Sequence, residues 1–246
     1  PLDSSTRHVP STIRIANQIL TRKEQLVRRF MRNNGLAITV FGIFLGVLVG
    51  QSVVGLHVYN QDQLEHGQTA IPYLQYLQTR AFLEVTFENW ESEFLQMAAY
   101  VLLTAFLFQR GSVESKDPDA EESTDADPAP HQTDPNAPWP VRQGGWILKI
   151  YENSLLIAFS LLFLGSFALH AYGGAGEYSD GQIAHGGQAV STLQYLTTSQ
   201  FWFESLQNWQ SEFLAVFAIV VLSIFLRQKG SPESKPVAAP HSHTGD

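Results

Sequence analysis

The sequence predicts an all-α membrane protein with four transmembrane helices, built as two tandem parallel two-helix repeats and accompanied by interfacial amphipathic helices. Three observations predict it. The apolar residues gather into four runs, Leu36–Leu56, Phe94–Phe108, Leu155–Leu169 and Phe213–Leu226, instead of spreading as a soluble core would need. Lys and Arg collect in the segments that flank pairs of runs, with Arg80 the one basic residue between the first and second and none between the third and fourth. Finally, the chain aligns with itself at an offset of 119 positions, residues 34–116 over 153–235 without a gap, with 35 of 83 positions identical.

Residues 1–33 read as a cytoplasmic amphipathic N-terminal segment. Ile13, Ile15, Ile19, Leu20, Val27, Phe30 and Met31 alternate with Arg14, Arg22, Lys23, Arg28, Arg29 and Arg32, the pattern of a helix lying on anionic lipid. So much polar sequence before the first run argues against a cleavable signal peptide. The first repeat, 34–116, opens with a run that meets the length of about 20 apolar residues needed to cross a bilayer. Gly42, Gly46 and Gly50 share one face of it, which predicts a close helix contact, and Gly165 is the counterpart of Gly46 in the second copy. The second and fourth runs are shorter and span only if Glu93 and Glu212 lie at the boundary.

Residues 117–145 form an acidic, Pro-rich cytoplasmic linker with too little apolar surface to order itself. The second repeat occupies 146–235, and 236–246 reads as a flexible tail. Basic residues at the two ends and in the linker place both termini and the linker in the cytoplasm, and the loops after the first and third runs outside. An even number of spans in each copy makes the repeats parallel, related by an axis along the membrane normal.

Four motifs recur at the offset. They are L-Q-Y-L at Leu74–Leu77 and Leu193–Leu196, N-W-x-S-E-F-L at Asn89–Leu95 and Asn208–Leu214, G-S-x-E-S-K at Gly111–Lys116 and Gly230–Lys235, and Y-x-x-x-Q-x-x-H-G at Tyr59–Gly67 and Tyr178–Gly186. Glu93 and Glu212 are candidate functional carboxylates because an ionisable group in a membrane segment is costly. A structural reading is preferred: Asn89 and Asn208, or Ser92 and Ser211, cap the helix, the Glu sits in its first turn, and Trp90 and Trp209 join the interfacial aromatic belt. The stripe Glu93, Gln96, Tyr100 and Thr104 is only half repeated in Glu212, Ala215, Ile219 and Ser223, which suits interhelical hydrogen bonding better than a conduction path. Leu74–Phe87 and Leu193–Leu206 read either as short amphipathic helices in the outer interface or as a small extracellular cap in which both loops pack together.

The outer loops hold His57, His66, His170 and His185 beside Asp62, Glu65, Glu177 and Asp180, residue types that bind metals or sense pH. No pair has the tight H-x-x-x-H spacing, so no metal is expected, and His66 and His185 remain as the candidates. His170 lacks an evident second axial ligand, so no haem or other cofactor is expected. The chain has no cysteine, which excludes disulfides, thiolate metal sites and cysteine nucleophiles. It carries no nucleophile elbow, phosphate loop, dinucleotide fingerprint or metalloprotease helix, and an enzyme is not expected. With a net charge of −8, nucleic acid is not an expected partner.

The duplicated N-W-x-S-E-F-L block, the loop signature and the G-S-x-E-S-K ends together resemble an uncharacterised bacterial integral membrane family, a domain of unknown function. The resemblance implies a multi-pass protein of the bacterial inner membrane and supplies no activity. The leading expectation is a structural or accessory membrane protein that acts through helix packing, with the lipid bilayer and a homo-oligomer or larger membrane complex as partners. The alternatives are a small proton-linked transporter or channel using Glu93 and Glu212, and a pH- or metal-responsive sensor using His66 and His185. The division between polar features kept in both copies, the outer-edge Glu and the loop His-Gly, and those in one copy only is the guide to where function lies.

Overall fold

The computed structural model describes residues 11–245, with side chains from Arg22 onward. The N-terminal segment expected to be amphipathic therefore lies partly outside the described residues: 1–10 altogether, and the side chains of Ile13, Arg14, Ile15, Ile19 and Leu20. The chain divides near Ala70 into two compact units.

The first unit is one helix, α1 (Ser11–Glu65), of 55 residues. At about 1.5 Å per residue it is roughly 80 Å long, more than twice a hydrocarbon core, so the basic segment and the first apolar run form one continuous rod. It ends where the His66 Nδ1–H donates to the Asp62 carbonyl at 2.9 Å and Gly67 turns the chain at a φ of 75°. An L side chain resists that left-handed conformation, which accounts for the Gly after the His.

The second unit contains α2 (Tyr73–Tyr76), α3 (Arg80–Phe106), α4 (Trp139–Gln143), α5 (Gly145–Glu152), α6 (Ser154–Ala184), α7 (Thr192–Tyr195) and α8 (Ser199–Phe225). Two single 3-10 turns, Ser123–Asp125 and Ala129–His131, lie in the linker. The described residues contain no strand. The helix α3 packs mainly on α6 and to a lesser extent on α8.

Local chemistry sets where the long helices begin. Thr79 Oγ1 accepts from the Phe82 N–H at 3.2 Å and Thr198 Oγ1 from the Phe201 N–H at 3.2 Å, each satisfying one of the donors that a helix start leaves open. These caps correct two expectations. The segments Leu74–Phe87 and Leu193–Leu206 are not separate surface helices: each is one turn, α2 or α7, followed by the first turns of α3 or α8. Asn89, Asn208, Ser92 and Ser211 lie well inside the helices and do not cap them. Asn89 Nδ2 donates instead to the Val85 carbonyl at 2.9 Å.

Three helices are long and apolar enough to cross a membrane: α1 from Arg22 onward, α6 and α8. Exposed Leu161, Leu164, Leu214, Phe217 and Leu222 give α6 and α8 the apolar outer surface of helices facing hydrocarbon. The helix α3, as long as α8, carries Arg80, Glu84, Glu88, Glu91 and Glu93 in its first half, which lowers its hydropathy below that of α6 and α8.

The approach of α6 to α3 rests on missing side chains. A Cβ on Gly173 would lie 2.6 Å from the Glu84 backbone nitrogen and 2.9 Å from the Arg80 carbonyl oxygen; on Gly174 it would meet the Tyr195 ring at 2.6 Å. Gly165, on the same helix, meets nothing within 4 Å, and neither do Gly42, Gly46 and Gly50 within the first unit. The small apolar core, Ala171, Ala175, Tyr195 and Phe201, lies beside this contact.

The C-terminal residues, expected to fray, make defined contacts. The Lys235 ammonium is 1% exposed and donates to the carbonyls of Gly111, His241 and His243 at 2.6, 3.0 and 3.0 Å. The Gly111 N–H donates to Thr244 Oγ1 at 2.9 Å and the Gly245 N–H to the Ser112 carbonyl at 3.0 Å. A buried ammonium needs such acceptors, and here the tail's own backbone supplies them.

Gly173→Ala should cost about 2 kcal/mol or more, because the added methyl meets backbone that cannot rotate away. Gly165→Ala should be neutral or stabilise by up to about 1 kcal/mol through helix propensity. Thermal unfolding in detergent measures both, and equal midpoints would mean that the close contact is not set by Gly173.

Candidate functional site

Helical spacing puts Glu84, Glu88 and Glu91 on one face of α3, four and three residues apart. That face meets His170 on α6, one turn before Gly173, and Glu204 in the second turn of α8. His170 and Glu91 are both wholly buried, with His170 Nδ1 2.7 Å from Glu91 Oε2. The other ring nitrogen, Nε2, lies 3.5 Å from Glu204 Oε2 and has no hydrogen-bond partner. The imidazole stacks on Phe201 with ring centres 4.9 Å apart, which fixes its plane.

Each carboxylate is held by further groups. Trp209 Nε1–H donates to Glu91 Oε1 at 3.0 Å, so both oxygens of Glu91 have donors. Asn208 Nδ2 donates to Glu88 Oε1 at 2.5 Å, and Gln200 Nε2 to Glu204 Oε1 at 2.6 Å. The Tyr195 hydroxyl donates to Glu204 Oε2. Burial, and then this bond to a carboxylate, raise the Tyr195 phenol well above the ordinary tyrosine range.

One ligand atom each from Glu84, Glu88 and His170 falls within 4.8 Å of the others, the only such group of three or more metal-ligating side chains among the described residues. No Lys or Arg forms an ion pair with Glu84, Glu88, Glu91 or Glu204 among those residues. Arg80, the nearest base in sequence, spans to α6, where its guanidinium lies over the Tyr172 ring at 4.1 Å and donates to the Tyr172 carbonyl at 3.3 Å. The cluster can therefore accept a cation: four carboxylates surround one imidazole.

The sequence candidates are scattered around this centre. Asn208 and Trp209 belong to it, as donors to Glu88 and Glu91. Their counterparts do not: Asn89 is exposed and Trp90 stacks edge-on with Phe87 and Phe94. Glu93 is exposed, whereas Glu212 is half-buried and its backbone carbonyl accepts from Gln96 Nε2 at 3.2 Å. His185 repeats the helix-end bond of His66, its Nδ1–H donating to the Gly181 carbonyl at 2.8 Å, with Gly186 at a φ of 79°. The His-Gly pair thus acts as a helix terminator at both places.

Sequence reasoning weighed His170 among the outer-loop histidines and as a haem ligand, kept it as neither, and passed over Glu84, Glu88, Glu91 and Glu204. A signal was available at the offset of 119: Glu84 stands against Phe203, Glu88 against Gln207, Glu91 against Gln210, His170 against Gln51 and Glu204 against Val85. The cluster is composed of residues on which the copies differ, Glu91 being the variable position inside N-W-x-S-E-F-L.

A family described as "Domain of unknown function (DUF6766)" matches residues 27–246. No curated protein and no solved structure matches the chain.

The neutral phenol of Tyr195 is favoured by the fold, so its contribution to stability is present below the ordinary tyrosine pKa of about 10 and is lost as pH rises above it. The stability advantage of the wild type over Tyr195→Phe should therefore shrink from about pH 10 upward. Chemical denaturation of both proteins across that range measures it, and a constant difference would contradict the buried bond to Glu204.

Proposed function

The chain belongs to the DUF6766 family, and because a domain of unknown function brings no activity with it, we propose its role from the cluster: a multi-pass membrane protein that takes up and releases a cation at a buried acid–imidazole centre between α3, α6 and α8. The observation that carries this reading is His170, wholly buried with a carboxylate at each ring nitrogen and, among the described residues, no Lys or Arg paired with the acids. Charged groups at membrane depth are expensive, and a helix contact could be made with neutral partners. The proposed role replaces Glu93 and Glu212 as the working carboxylates of a proton-linked protein, and it is not enzymatic.

In this reading α3 is the fourth span. Glu84, Glu88 and Glu91 turn toward α6 and α8 rather than lipid, and the later turns of α3, from Phe94 on, are mainly apolar. The two copies run parallel in a bacterial inner membrane, with both termini and the linker cytoplasmic by the distribution of Lys and Arg. The cluster then occupies the outer half of the membrane.

A second reading is favoured by one specific bond, Trp209 Nε1–H to Glu91, which ties α8 to α3. Polar groups of this kind hold membrane helices together, and the protein would then be a structural or accessory subunit acting on itself or a larger complex.

The pH dependence of stability separates the two. Between about pH 5 and 9 the unfolding free energy of the wild type relative to His170→Gln should vary by about 1 kcal/mol or more, since a site that exchanges cations binds different numbers of protons in the two proteins. A difference that stays constant across the range, with both proteins folded, would leave the structural reading standing instead.

A further inference from the structure

We propose that His170, Glu84, Glu88 and Glu204 form a site for one first-row divalent transition-metal ion of the Mn2+ or Fe2+ class, with Glu91 as the positioning residue for the imidazole. The inference rests on the cation-binding reading above and names the cation.

The imidazole supplies the first argument. A neutral ring has one N–H and one lone pair, and the group that takes the N–H decides which nitrogen is left to ligate. Glu91 Oε2, 2.7 Å from Nδ1, accepts that hydrogen. The lone pair is then on Nε2, which is buried, lacks a hydrogen-bond partner and faces Glu204 at 3.5 Å. A lone pair pointed at a carboxylate is unfavourable unless a cation, a proton or a metal ion, lies between them. Carboxylate–histidine–metal arrangements have this order, the outer carboxylate fixing the tautomer and raising the basicity of the ligating nitrogen.

Spacing supplies the second. Ligands about 2.1 Å from one ion stand about 3 Å apart when adjacent and about 4.2 Å apart when opposite. The ligand atoms of Glu84, Glu88 and His170 lie within 4.8 Å of one another, close to the span of opposite ligands, and rotation of the two glutamate side chains would bring these three onto one ion. The donors that hold Glu88 and Glu204 from Asn208 and Gln200 bind one oxygen of each, Oε1. Oε2 of Glu88 is left to turn toward the ion.

Charge and donor type supply the third. The four carboxylates and a neutral imidazole around a divalent ion leave a net charge of about −2, where the acids with a neutral ring alone would hold −4. A proton on Nε2 would meet only Glu204, and at a long distance. Oxygen donors with a single nitrogen and no sulfur suit Mn2+ and Fe2+ rather than soft metals, and Glu and His on facing helices of a bundle are a recurring way to hold them. The positions at the offset of 119, Phe203, Gln207, Gln51 and Val85, offer no second set, so one ion per chain is expected.

The test is binding of MnCl2 to the full chain purified in detergent, read by elemental analysis after desalting and by spin resonance of the bound Mn2+. The wild type should retain about one Mn2+ per chain, with nitrogen modulation from one imidazole in the spin-echo spectrum. His170→Gln, and Glu84→Gln combined with Glu88→Gln, should weaken binding by at least about 100-fold, and Glu91→Gln by about 10- to 100-fold. Glu93→Gln with Glu212→Gln should bind as the wild type does. Wild-type protein that retains no Mn2+, or Mn2+ bound without imidazole modulation, would overturn the metal site. The spectrum judges the site on the wild type even if a variant fails to fold. A pH-dependent stability difference at His170 that persists without metal binding would overturn the metal and leave a proton as the cation; loss of both would remove the cation-binding reading as well.

Discussion

Gly173 and Gly176 let the backbone of α6 lie against α3, and His170 is one turn away on the same helix. Its 2.7 Å contact with Glu91 depends on that approach: a side chain at Gly173 would meet the Glu84 backbone nitrogen, and one at Gly176 the stem of Arg80. Separating the helices by even an ångström or two would break the bond and leave a buried carboxylate and a buried imidazole without partners. The cost of such orphaned groups is several times the net gain of a formed hydrogen bond, so packing and polar chemistry are coupled at this point. Small residues permit the contact and the polar pair fixes its register.

The remaining polar groups follow from that pair. Once Glu91 is committed to His170, its second oxygen needs a donor, and Trp209 supplies one from α8. Glu88, one turn earlier on α3, is met by Asn208, the neighbour of Trp209. Glu204, one turn before Asn208, turns toward the far side of the imidazole and takes the Tyr195 hydroxyl. Three helices and the short α7 are thus joined by a chain of bonds that begins at one histidine. Arg80, the one base close in sequence, is engaged with Tyr172 instead, and among the described residues no Lys or Arg pairs with these acids.

Much of the fold was legible. Apolar runs located α6, α8 and the central part of α1, since burial in hydrocarbon needs uninterrupted apolar length and nothing else mimics it. The short turns and the caps were less legible, because Thr79 and Thr198 lie ten residues before the block that drew attention, and a helix start is defined by one hydroxyl rather than by a pattern. The site was legible least. Sequence identity between the copies highlights Asn89, Trp90, Ser92 and Glu93, and identity reports what both copies need for the helix itself. Glu91 stood in the middle of that block as its variable letter. His66 and His185 drew attention for the same reason, and their shared task is to end a helix.

The differences between the copies carry a physical logic of their own. Gln207 and Gln210 occupy the places of Glu88 and Glu91, and glutamine has nearly the shape and reach of glutamate without its charge. Gln51 likewise stands where His170 does. A second set of buried acids would add the desolvation cost of four more ionisable groups to a fold of this size, each several kcal/mol unless paired. Amides in place of Glu88 and Glu91 keep hydrogen-bonding capacity while removing that cost, and Phe203 and Val85 in place of Glu84 and Glu204 are apolar. A duplicated scaffold so modified can concentrate its tolerance for buried charge at one centre, to which the first copy gives Glu84, Glu88 and Glu91 and the second His170 and Glu204. Asymmetry laid over a common helix plan, rather than the plan itself, is therefore where the chemistry of this chain resides.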